Sequence, residues 1–181
     1  MQNAATRLLR LLVASLLALP GLPASPQPLE HEVKAAFLYK FPAFVEWPAK
    51  PAPDVPFVIA VVGAPDVAAE LRGITRGQEH DGHRIEVREV ADGQAVTGAQ
   101  VVFVGRAAAA RLPSIAKATA NLPVLIVGET PNALEQGCLI NFVLSEDRVR
   151  FDVELDQAEA RGLRINARLL AAARQVRGAR S

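Results

Sequence analysis

Val33, Phe37, Phe41 and Phe44 recur at steps of four, four and three, which lines them up along one face of a helix. This stripe predicts an N-terminal helix whose apolar side faces the core. Pro42 lacks an N–H and crowds the carbonyl of Leu38, so the helix should kink there or break into two short ones. Trp47-Pro48 ends it, with Trp47 packing where the chain turns toward the next element, and "AKPAPDVP" (49–56) reads as an irregular connector.

From residue 57 the pattern changes to short continuous apolar runs that alternate with helical segments. "FVIAVVG" (57–63), "RIEVREV" (84–90), "VVFVG" (101–105) and "VLIVG" (124–128) read as strands; "PDVAAELRG" (65–73) and "AAAARLPSIAKAT" (107–119) read as helices. "LINFVL", the turn Ser145-Glu146-Asp147 and "RVRFDVEL" predict a β-hairpin. "DQAEARG" and "NARLLAAARQVR" predict two closing helices with Asp156 and Asn166 as caps. The expected fold is a three-layer, Rossmann-like α/β domain: a mostly parallel sheet, an aromatic-rich N-terminal helix and a C-terminal hairpin plus helices.

The first segment has a different composition. Arg7 and Arg10 precede an apolar run from Leu11 to Leu19, followed by Pro20 and small residues, which is the layout of a secretory signal peptide. The run is about half the roughly 20 residues needed to span a bilayer. The sequence therefore divides into a signal peptide (1–24), a leader (25–31) and one domain (32–178). A single cysteine, Cys138, excludes an intramolecular disulfide and reads as a small buried hydrophobe. A mature chain of about 155 residues can be held together by its core alone. The net charge of +1 gives no reason to expect nucleic acid as a partner.

Candidate chemistry is sparse. Gly63, Gly105 and Gly128 close three predicted strands, and ligands of open α/β sheets sit outside strand carboxyl ends. That edge is the candidate ligand site, although the same glycines also serve plain strand-to-helix turns. Neither G-x-G-x-x-G nor a P-loop spacing occurs. His80 and His83 in "EHDGHR" read as part of a solvated loop and not as a metal site, and His31 reads the same way. The scattered arginines of the last stretch, Arg161, Arg164, Arg168, Arg174, Arg177 and Arg180, read as a solvated face. No nucleophile–base pairing is visible, so no cofactor, metal or enzymatic activity is expected. Opposite Phe37 on the first helix, the period places Tyr39, Pro42 and Glu46 on an outer face, a candidate partner or dimer contact.

Two stretches, "VKAAFLYKFPAFVEWP" and "GCLINFVLSEDRVRFDVELDQAEARGLRINARLLAAARQV", resemble the two signature ends of the YfiR family of small secreted bacterial proteins. Gly137, Ile140, Asn141, Phe142, Arg148, Phe151, Gly162, Leu163, Leu169 and Leu170 meet the second signature. The resemblance implies a non-enzymatic periplasmic regulator. Such a protein would bind the periplasmic domain of an inner-membrane signalling protein, typically a diguanylate cyclase, and repress cyclic di-GMP synthesis and biofilm formation. It also implies a homodimer and an outer-membrane lipoprotein partner. Family members that use paired cysteines need two, so redox control within this chain is not expected. A periplasmic small-ligand binding protein using the glycine edge is the alternative.

Overall fold

A computed structural model describes residues 29–49 and 51–178; the expected signal peptide and Arg180 lie outside the described residues. The described residues open with α1 (Glu30–Lys40), two residues ahead of the boundary expected from sequence. Glu32 fixes this start, since its carboxylate accepts the N–H of Leu29 at 3.1 Å. At Pro42 the helix gives way to a 3-10 turn (Phe41–Phe44), the expected break, and a short β1 (Val45–Glu46) follows.

The remaining elements are β2 (Phe57–Val62), α2 (Pro65–Thr75), β3 (Glu79–His80), β4 (His83–Val90), β5 (Val101–Val104), a 3-10 turn (Arg106–Arg111) running into α3 (Leu112–Ala118), and β6 (Leu125–Gly128). After these come β7 (Ile140–Ser145), β8 (Arg148–Glu154), α4 (Leu155–Ala160), β9 (Arg164–Ile165), α5 (Ala167–Ala172) and β10 (Gln175–Arg177). The main sheet has the order β10-β8-β7-β6-β5-β2-β4-β3, and β1 pairs with β9 in a separate ribbon. β7, β6, β5, β2 and β4 are mutually parallel; β8 pairs antiparallel with β7 and parallel with β10, and β3 pairs antiparallel with β4. Both hairpins turn on two left-handed residues, Glu146 and Asp147 at φ 52° and 56°, and Asp81 and Gly82 at φ 53° and 82°.

The central strands β2, β5 and β6 are continuously apolar and buried on both faces, as the middle of a parallel sheet requires. Ile59, Val61, Phe103, Val127 and Phe142 pack under α1, α2 and α4. Val58, Ala60, Val102, Val104 and Ile126 pack under α3 and the segment that carries Cys138. The three layers follow directly from this division.

Four expectations change. The buried stripe of α1 is centred on Lys34, Ala35 and Leu38, with Val33 and Phe37 only half-buried, because α2 covers the helix on one flank while Phe142 and Phe151 cover the other. Asp156 sits in the first turn of α4 and caps nothing, whereas Asn166 does cap α5, accepting the N–H of Arg168 at 2.8 Å. The last predicted helix stops at Ala172. The N–H of Arg174 bonds Phe151 O at 2.8 Å and its guanidinium pairs with buried Asp152, which pulls residues 175–177 out of the helix and onto the edge of the sheet. The arginines are a solvated face only in part: Arg164 and Arg168 are exposed, whereas Arg161, Arg174 and Arg177 hold the fold together. Arg161 caps the C-terminal end of α3, donating to Thr119 O at 2.6 Å and Ala116 O at 3.3 Å, and Arg177 pairs with Glu135.

Candidate functional site

β4 and β5 flank β2, with α2 on one face of the sheet and α3 on the other, so the chain reverses its winding between β2 and β5. Ligands of open α/β sheets bind at such a reversal, outside the strand carboxyl ends. Gly63 and Gly105 end those two strands and Gly128 ends β6, so the structure brings the three sequence candidates to this edge.

The glycines face the chain itself. A Cβ on Gly63 would lie 2.5 Å from Ala108 Cβ; on Gly105 it would lie 2.5 Å from Gly63 O and 2.7 Å from Ala64 Cβ. On Gly128 it would meet Cys138 Sγ at 3.0 Å and Ala133 Cβ at 3.1 Å. Gly63 additionally needs its positive φ of 66°. The bare Cα positions thus allow strands and turns to close on one another.

A crevice of ≈300 Å³ remains over this edge, bounded by the start of α2, Arg106, Glu129 and the first turn of α1. Four charged side chains span it. Lys34 Nζ pairs with both Glu30 and Glu129; Arg106 donates from Nη2 to Glu30 Oε1 at 3.2 Å and from its backbone N–H to Glu129 Oε1 at 2.8 Å. Lys34 and Glu129 are nearly shut from solvent, at 6% and 9% side-chain exposure. The Lys34 ammonium, bonded to Glu30, holds that carboxyl below its ordinary range. Two cations and two anions satisfy one another here, and Asp66 at the start of α2 adds a further acidic side chain to the crevice wall. Sequence reasoning missed this group, although Glu30 and Lys34 stand at the i,i+4 spacing of a helical ion pair.

The outer-face residues separate. Tyr39 is half-buried against the core, and its hydroxyl donates to Gln78 Oε1 at 3.3 Å. Pro42 is buried, and Glu46 is exposed on β1. The expected solvated loop around His80 and His83 is instead the β3–β4 hairpin. The His80 ring stands 4.6 Å from that of Phe57, and His83 Nδ1 lies 2.9 Å from Val55 O. Trp47 packs where expected, edge-on to Phe57 at 5.3 Å. His31, Glu32 and Glu70 are the one group among the described residues whose spacing could hold a metal ion, on the outer side of α1 and α2. Cys138 is fully buried, and desolvation pushes its thiol far above the ordinary range, which removes it as a nucleophile. Leu29 and Leu144, at 57% and 58% exposure, are the most exposed large apolar side chains among the described residues. No helix among the described residues is long and apolar enough to cross a membrane.

The model of a family described as YfiR/HmsC-like matches residues 31–174. No curated protein matches the chain. Among solved structures, a conserved domain protein from Vibrio cholerae O1 biovar El Tor str. N16961 superposes with a TM-score of 0.55 at 13% identity. The match covers 82% of this chain and 60% of that one, and the likeness is one of fold.

Proposed function

The chain belongs to the YfiR/HmsC-like family, and we propose that it acts in the periplasm as a non-enzymatic signalling repressor. On this reading it binds the periplasmic domain of an inner-membrane signalling protein, a diguanylate cyclase, and holds it inactive; release raises cyclic di-GMP and promotes biofilm formation. The observation that carries the reading is the family match over nearly the whole domain. Two features support it. The signal-peptide layout of residues 1–24 supplies export. At the glycine edge, Lys34, Glu30, Arg106 and Glu129 neutralise one another, and the Cys138 thiol is buried.

Tyr39 and Glu46 are the contact residues on this reading; Pro42, being buried, is not one of them. A second copy of the chain and an outer-membrane lipoprotein are further partners. The test is a deletion strain complemented with the wild-type gene, combined with co-purification from the envelope. The reading expects cyclic di-GMP to rise on deletion and return on complementation, and the co-purified inner-membrane protein to be a cyclase. Unchanged cyclic di-GMP with no cyclase recovered overturns it. Retention of the partner by a Tyr39→Ala/Glu46→Ala variant overturns the contact assignment alone.

A further inference from the structure

β4 and β5 run parallel on either side of β2, so the connection between them has to cross a face of the sheet. Such crossovers are usually helical. Here residues 91–100 make the crossing as an irregular strap with no helix. Val96 and Ala99 turn into the core beneath it, but a strap covers less of the sheet than a helix would. The space left between strap and α3 is a cleft of ≈810 Å³ that opens at the amino-terminal ends of β5 and β6, away from the glycine edge.

The cleft has the character of a small-molecule site. Its walls are mainly apolar, formed by Val96, Ile115, Ala118 and Val124, with Trp47 at one end and Leu122 on the lip. Its size is within the range of ligand pockets, roughly 300–1,000 Å³. It is also held open. Arg111 donates from Nη1 to Ala91 O at 3.1 Å and from Nη2 to Gln94 O at 2.7 Å, pinning the start of the strap. Gln100 pins its end, donating its N–H to Val58 O at 3.0 Å and accepting the N–H of Val58 on Oε1 at 2.7 Å.

Arg111 is also the only charged side chain among the described residues that line the cleft. It is largely buried, at 21% side-chain exposure, and its acidic neighbour Asp92 is fully solvated and 3.6 Å away. An exposed carboxylate at that distance compensates a shielded guanidinium only weakly. An anion inside the cleft would meet the same charge away from water, where the attraction is stronger.

We propose that this cleft binds a small molecule with an apolar body and one anionic head, the body between α3 and the strap and the head against Arg111. The proposal is independent of the partner-binding reading and can fail without it.

The test uses 1-anilinonaphthalene-8-sulfonate, which has an apolar body and an anionic head, beside uncharged N-phenyl-1-naphthylamine. Trp47, the sole tryptophan, serves as the energy-transfer donor. The expected result is saturable binding of the sulfonate at one per chain with quenching of Trp47. Ala118→Phe and Ala95→Phe each place bulk in the cleft from an exposed position. Each should weaken sulfonate binding by about tenfold or more. Arg111→Met should weaken the sulfonate by about tenfold and the neutral probe by less than about twofold. Absence of saturable binding, or affinity unchanged in both phenylalanine variants, overturns the site. Equal loss of both probes in Arg111→Met overturns the anionic-head assignment and leaves Arg111 as a brace for the strap.

Discussion

Lys34 and Glu129, 95 positions apart in sequence, form a salt bridge that is almost fully enclosed and ties the first helix to the carboxyl edge of the sheet. An enclosed pair resists removal of one partner more than removal of both, because a lone charge is left without solvent. Lys34→Met should therefore lower stability by about 3–5 kcal/mol. Lys34→Met/Glu129→Met should recover much of that loss. Urea unfolding of the two variants and the wild type measures both effects; additive losses would mean that the pair is not enclosed.

The same network gives stability a pH dependence. Hydrogen bonding to Lys34 and the nearby Arg106 charge depress the Glu30 carboxyl in the folded chain below its ordinary value of 4.5. For a depressed carboxyl, the contribution is fully present above the unfolded value and disappears as pH falls through the folded one. Glu30→Gln should thus be less stable than the wild type at about pH 7, with the gap closing below about pH 4.5. The effect should be modest, since the Glu30 side chain is 38% exposed. Paired urea titrations across that range check it, and a gap independent of pH would remove Glu30 from the network.

Glycine replacement separates close packing from simple turn geometry. Gly63 combines a positive φ with a 2.5 Å approach to Ala108, and Gly105 has a 2.5 Å approach to Gly63 O without positive φ. Gly93 also has a positive φ, 79°, but open space around it. Gly63→Ala and Gly105→Ala should each cost about 2 kcal/mol or more, and Gly93→Ala about 1 kcal/mol. Thermal unfolding of the three variants gives the ranking. If all three cost the same, the carboxyl edge is looser than the glycine contacts imply.

The layers were legible in the sequence where the code is local. The apolar runs at 57–63, 101–105 and 124–128 became strands, and Pro42 broke the helix where its missing N–H required. What escaped was set by distant partners. Residues 175–177 follow a good helical pattern, yet Asp152, more than twenty positions earlier, fixes Arg174 and turns them into β10. Tyr39 is opposite Phe37 on the helix, but α2 and the turn at Gln78 take up that flank. The glycine edge was found by motif position. Its filling by Lys34 and Glu30 depends on how α1 docks, which periodicity does not specify.

Cys138 offers a direct reading of how tightly the second core is closed. Its Sγ donates to Ile140 O at 2.8 Å, with Ile126 O at 3.3 Å, between β6 and β7. It also packs against Gly128, so thiol and glycine occupy one close-packed site. Burial raises the thiol far above its ordinary value of 9.0, which leaves negligible thiolate at neutral pH. Alkylation then requires opening of the sheet or of the segment above it. With iodoacetamide near pH 8, native protein should react at least about a hundredfold more slowly than denatured protein. The rate should rise as urea approaches the unfolding midpoint. Gly128→Ala, which pushes a methyl to within about 3 Å of Sγ, should raise the native rate by loosening this site. Rapid native labelling of the wild type would show that the face under α3 opens without global unfolding and that Cys138 is accessible to reagents from solvent.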